Sequence, residues 1–315
     1  MGETIDFPSP KKRLRLAAEK AYQAKEFLQA YRLYRELYDL DRCFDTNQWL
    51  VECLQQLKDF SKALETADDY LDYYLQDTDG FLQVGHLYVL DGQYLKARRW
   101  LRLGQRQQVA SNMLQQLRFE IDKVEEVQQI LGMEDHLAKK EQLLKIDNLR
   151  QPVNYREWQS FVQGMTSHQF TELVRDLLPR LRNAYLIPRL VEELVRLDVA
   201  EIFTVVDYMG DLRKINPREL ALLPEMPVYQ QIMARINDTI AQEDPILAES
   251  VIAEISDHLA ISYPFLPQET QIDTWIASYV ADYRGENEKD GRAKTKNSIE
   301  NRKERLRSIL QETQF

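Results

Sequence analysis

The chain has 315 residues, 44% hydrophobic and 29% charged, and a net charge of −10 from 51 acidic and 41 basic side chains. That apolar content supports a substantial core, and the length suggests about two domains. Scarce glycine (10) and proline (11) argue against a turn-rich all-β fold or a glycine-looped nucleotide enzyme, and the acidic balance argues against broad nucleic-acid or anionic-membrane binding.

Met1 to Pro10 shows no apolar signal-peptide segment, and no run of about 18 apolar residues follows, so a soluble, cytoplasmic protein is expected. The two cysteines, Cys43 and Cys53, fit neither a zinc spacing nor a disulfide framework and read as buried thiols of a reduced compartment.

Residues 11–104 repeat themselves. Phe27-Leu-Gln-Ala30, Phe60-Ser-Lys-Ala63 and Tyr94-Leu-Lys-Ala97 align, with alanines 33 and 34 residues apart and an aromatic three residues before each. Six residues before those aromatics stand Ala21, Leu54 and Tyr88, preceded by Ala17/Ala18, Leu50/Val51 and Val84/Gly85. Each copy is thus an apolar-striped helix, a short turn and a second helix, the alanine being small where two helices cross closely. This pattern resembles the tetratricopeptide repeat, a 34-residue helix–turn–helix. The third copy matches best, with Val84-Gly85-x2-Tyr88, the turn residue Gly92, then Tyr94 and Ala97; the first two lack the Leu-Gly pair. The resemblance covers about a third of the chain and implies three degenerate helix pairs forming an α-solenoid.

A fourth copy would need small and aromatic residues where Gln128 and Leu131 stand. Instead Ala110, Leu114, Leu117, Ile121 and Val124 mark one long amphipathic helix over 105–131, which caps the repeats, with a dimerising coiled coil as the alternative. A second helix is expected over 134–146, so that 105–150 serves as capping helix and connector.

Residues 154–283 form a separate, mostly helical domain, with helices expected over 155–164, 167–182, 186–197, 217–223, 227–242, 245–262 and 269–283. Asn216-Pro217 and Asp244-Pro245 each place an N-cap residue before a proline at the first helical position. Residues 201–208 are β-branched and aromatic, and Gly210-Asp211 precedes Leu212-Arg-Lys-Ile215; this reads as a β-hairpin, the alternative being a helix from Val199 to Met209. The fold class expected is mainly α. Residues 284–315 carry nine basic and six acidic side chains and read as a flexible charged tail, with a short basic helix over 299–310; docking on the acidic body is the alternative. The whole layout is also loosely similar to uncharacterised bacterial proteins that add a C-terminal unit to such repeats.

No phosphate-loop, dinucleotide, zinc-protease or nucleophile-elbow motif occurs, and the four histidines lack ligand-spaced partners. No cofactor, metal site or enzymatic activity is therefore expected. The functional surface is the concave side of the helix pairs, to which the register assigns Lys12, Arg15, Glu19 and Tyr22, then Asp45, Gln48, Trp49, Glu52 and Gln55, then Asp79, Leu82, Gln83, His86 and Val89. Such a groove, basic at its start, acidic in the middle and more apolar at its end, suits a protein or peptide ligand; Trp49 is a natural anchor where exposed, the alternative being burial against the neighbouring helix. Members of the resembling family that grip a C-terminal carboxylate use a Lys/Asn/Arg clamp. The matching positions here are Arg15, Glu19, Trp49, Asp79 and Gln83, of which only Arg15 could serve, so acidic C-terminal tails are not expected to bind. An adaptor or assembly factor is the reading. The alternatives are a peptide sensor coupled to the C-terminal domain, an enzyme within 154–283, and a nucleic-acid contact through the basic tail.

Overall fold

The computed structural model describes residues 10–131, 133–286 and 294–312. It divides into two compact units: residues up to 131 together with 162–167, and the remainder.

The first unit is a solenoid of helix pairs of the tetratricopeptide type. Its pairs are α1 (Pro10–Gln23) with α2 (Phe27–Leu40), α3 (Phe44–Gln56) with α4 (Phe60–Ala67), and α6 (Thr78–Leu90) with α7 (Tyr94–Arg106). A short α5 (Leu71–Gln76) follows α4 after a 3-10 turn. The aromatics Phe27, Phe60 and Tyr94 open the second helix of each pair, and Ala30, Ala63 and Ala97 are completely buried. The same turn joins every pair. Lys25, Lys58 and Gly92 take positive φ (61°, 60° and 69°), and the amide that follows each donates to Ala21, Leu54 or Tyr88 O at 2.8–3.0 Å. These 6→1 bonds satisfy carbonyls that a helix end leaves open.

The long helix expected over 105–131 is two elements. Chain reversal at Gln108 (φ 59°) ends α7 at Arg106, and α8 runs from Ser111 to Leu131. No glycine marks this turn, so it is silent in the sequence. α8 packs on α6 and α7 through the buried Leu117 and Ile121, with Leu114 and Val124 half-buried beside them. Its apolar stripe is therefore occupied within the chain.

The second unit begins with α9 (Met133–Leu149), α10 (Tyr155–Val162), α11 (Ser167–Leu177) and α12 (Leu186–Arg196). β1 (Phe203–Val206) and β2 (Leu212–Ile215) then form the antiparallel hairpin, with Phe203 opposite Ile215. The helix expected over 217–223 is absent. Two 3-10 turns, Pro217–Glu219 and Leu223–Glu225, stand there instead, separated by extended backbone at Leu220 and Leu222 (ψ 150° and 151°), and Pro227 holds Met226 extended after the second. α13 (Pro227–Asp238), α14 (Ile240–Glu243), α15 (Pro245–Ser262) and α16 (Ile272–Arg284) complete the body. Asp244 caps α15, accepting from Leu247 N at 3.0 Å.

The flexible-tail reading is corrected for residues 294–312; residues 287–293 lie outside the described residues. α17 (Lys294–Gln311) lays Ile299, Leu306 and Ile309 into the same core as Ile232, Val251, Ile255 and Trp275. Charge locks it there. Lys303 is completely buried, ion-paired with Asp282 and with Glu300 (3.2 Å), and donates to Ser278 O at 3.0 Å. Arg307 bridges Glu254 (2.6 Å) and Asp282 (2.7 Å).

Candidate functional site

The first helices of the pairs, α1, α3 and α6, lie beside one another and are followed by α8. Side-chain bonds cross each seam of this inner face. Arg15 pairs with Asp45 and, on its own helix, with Glu19 at 3.4 Å. Tyr22 donates to Glu52 Oε1 at 2.7 Å, and Gln83 donates to Glu52 Oε2 at 3.0 Å. His86 Nδ1 stands 3.3 Å from Glu120 Oε2 on α8. Burial, reinforced by Glu52, pushes the Tyr22 phenol above its usual range, so Tyr22 stays protonated and keeps the proton it donates to Glu52.

The rigidity of this face comes from below it. Asn47, wholly buried, donates to Thr66 O (2.8 Å) and accepts from the Tyr74 hydroxyl (2.9 Å), fixing α3 against α4 and α5. Asp77 caps α6 by accepting from Gly80 N at 2.7 Å, and the same oxygen receives Gln48 Nε2 at 3.4 Å.

Seven of the expected groove residues, Gln48, Glu52, Gln55, Asp79, Leu82, Gln83 and His86, line one pocket of about 450 Å³. α8 adds Gln116 and Glu120. The expected groove omits these last two because the sequence makes α8 a cap, although Glu120 lies one repeat length, 34 residues, beyond His86. The remaining expected residues lie elsewhere. Lys12 is exposed, and Arg15, Glu19 and Asp45 are committed to one another, so the expected basic start of the groove is neutralised. Trp49 is no free anchor. Its ring stacks on Tyr34 (5.4 Å, 5° between planes) and meets the edge of Tyr22 at 5.2 Å. Val89 turns into the core.

The pocket is acidic. Glu52, Asp79 and Glu120 supply three carboxylates, and His86 is the one basic side chain in the lining. Glutamines 48, 55, 83 and 116 add amide donors and acceptors suited to peptide backbone or polar side chains. Among the described residues, no group of three or more His, Cys, Asp or Glu side chains is arranged to hold a metal ion. Cys53 is buried, its thiol pushed up to about 12 by desolvation; Cys43 is only half-buried because it occupies the N-cap of α3. Among the described residues no helix is long and apolar enough to cross a membrane.

No family model matches the chain, and no curated protein matches it. Among solved structures it is similar to the TPR2AB-domain:pHSP90 complex of yeast Sti1, with 15% identity over 96% of each chain and a TM-score of 0.34. A likeness at that score does not define this fold; the tetratricopeptide-type assignment rests on the helix pairs, their alanines and their shared turn.

Proposed function

We propose that this protein is a peptide- or protein-binding adaptor, or assembly factor, and that the α3–α6–α8 pocket receives a segment carrying lysine or arginine side chains. The observation that supports this is the lining itself, three carboxylates and four glutamines on a rigid helical face with a single histidine as basic partner. Opposite charge favours association and sets its rate, while the glutamines supply directional contacts. The test is fluorescence anisotropy of the full chain with a short Lys/Leu peptide and its Glu/Leu counterpart. The basic peptide is expected to bind, to weaken with salt, and to lose about tenfold in affinity on joint Glu52→Gln, Asp79→Asn and Glu120→Gln substitution. Equal affinity for both peptides, or no change in the triple variant, refutes the reading.

A further inference from the structure

A second pocket, of about 200 Å³, lies wholly within the second unit and differs in chemistry from the groove. Its lining includes three arginines, Arg150, Arg182 and Arg305, and one carboxylate, Asp207. That concentration of positive charge stands out in a chain of net charge −10.

The site is built by buried polar groups. Asp147 at the end of α9 accepts the backbone amides of Arg182 and Asn183, each at 2.8 Å, and Arg150 N donates to Asp147 O at 3.2 Å. Asn183, completely buried, donates to Ile146 O (3.1 Å) and Gln151 O (3.0 Å). Its Oδ1 accepts from Tyr185 N at 3.0 Å and Leu186 N at 3.2 Å. The backbones that carry Arg150 and Arg182 are thereby held together. On the other side Arg305 Nε donates to Tyr208 O, 3.3 Å away in the hairpin turn.

The carboxylate in this lining is already engaged. Asp207 Oδ1 accepts from Met209 N and Asp211 N, each at 2.9 Å, and its Oδ2 faces Arg213 at 3.8 Å. Among the described residues neither Arg150 nor Arg182 has an ion-pair partner; Arg305 reaches Glu312 at 3.8 Å. The floor is apolar, formed in part by Leu181, Ile187, Ile261, Phe265 and Ile309.

We propose that this pocket binds a small organic acid, its apolar body on the floor and its carboxylate or phosphate head between the guanidinium groups. Arginine suits this because its planar fork makes charge-assisted, paired hydrogen bonds to both kinds of head. The volume falls below the range of about 300–1,000 Å³ usual for drug-sized ligands, which limits the occupant to a compact acid.

The test is calorimetric titration of the full chain with 3-phenylpropionate, phenyl phosphate, inorganic phosphate and the neutral 3-phenylpropanol. At least one aromatic acid is expected to bind, with the alcohol and inorganic phosphate each weaker by about tenfold. Comparison of the two aromatic acids assigns the head group. The exposed Arg150→Ala and Arg182→Ala pair is expected to lower affinity by about tenfold or more while the thermal melt stays in place. No binding of either acid at millimolar concentration overturns the proposal, as does equal binding of the alcohol or unchanged affinity in the pair variant.

Discussion

Gly85 on α6 and Leu117 on α8 meet so closely that a Cβ at position 85 would stand 2.6 Å from Leu117 Cδ2. The same intimacy recurs at Gly104, where a Cβ would stand 2.5 Å from the Phe81 ring. Leu117 and Phe81 are completely buried, so neither can swing away into solvent. Helix propensity alone favours alanine by about 1 kcal/mol, whereas overpacking costs about 1–3 kcal/mol. Gly85→Ala is therefore expected to destabilise the protein by about 1 kcal/mol in urea unfolding, and that penalty to shrink when it is measured in a Leu117→Ala background. A stabilised Gly85→Ala variant would mean that α8 is not seated on α6.

The three intra-pair turns share one backbone form, yet only the third uses glycine. Lys25 and Lys58 hold positive φ with a Cβ in the way, at a cost of about 1 kcal/mol each. Replacing either by glycine removes that strain and adds unfolded-state entropy, so a net gain of about 0.5 kcal/mol is expected in the unfolding midpoint. Valine at the same positions is expected to destabilise, being β-branched where φ is positive.

The repeats were legible because their signals are local and recur. An alanine at each crossing, an aromatic at each second-helix start and Gly92 at one turn were enough to set the register. The turn at Gln108 was not legible, since a non-glycine residue adopts the left-handed form there under tertiary constraint. Nor could spacing show that Arg15 would be matched by Asp45, thirty residues on, or that Trp49 would lie against Tyr34. Composition alone points the C-terminal helix toward solvent. Its Ile299, Leu306 and Ile309 form a sparse stripe within a strongly charged segment, and the charges proved to be internal partners.

Removing one of those partners measures how firmly α17 is held. Lys303 is completely buried, and its Nζ lies 4.8 Å from the Tyr279 ring centroid as well as within its ion pairs. Breaking a buried pair typically costs about 3–5 kcal/mol. Because Asp282 keeps Arg307, Lys303→Ala is expected near the lower end, about 3 kcal/mol by denaturant unfolding. An unchanged midpoint would restore the flexible-tail reading.

His258 makes the second unit acid-sensitive. Its Nδ1 lies 2.5 Å from the Tyr279 hydroxyl, and burial pushes its pKa down from 6.5 to about 4, with Arg307 and Lys303 adding to the fall and Glu254 opposing it. The unfolded chain takes up the proton near 6.5 while the native chain refuses it until about 4. Stability is accordingly full above about pH 7, falls by about 3 kcal/mol as the pH drops to about 4, and levels off below. His258→Gln, which keeps a hydrogen-bonding side chain, is expected to flatten that part of the pH–stability curve relative to the unsubstituted chain. Parallel curves for the two proteins would assign the acid sensitivity to the carboxylates around Arg307 instead.

The charge of the groove also sets what it should reject. A peptide ending in acidic residues brings side-chain carboxylates and a terminal one toward Glu52, Asp79 and Glu120, with Arg15 already occupied by Asp45 and Glu19. Like charges at such range are repulsive, and only salt reduces the penalty. Fluorescence titration with an acidic C-terminal peptide is expected to show no saturable binding at micromolar concentration. Reversing the sign of the pocket by Glu52→Lys and Asp79→Lys should admit that peptide and expel the basic one, with circular dichroism checking that the helices persist once Tyr22 and Gln83 lose Glu52 as acceptor. Micromolar binding of the acidic peptide to the unsubstituted chain would defeat the electrostatic account and move recognition away from these carboxylates.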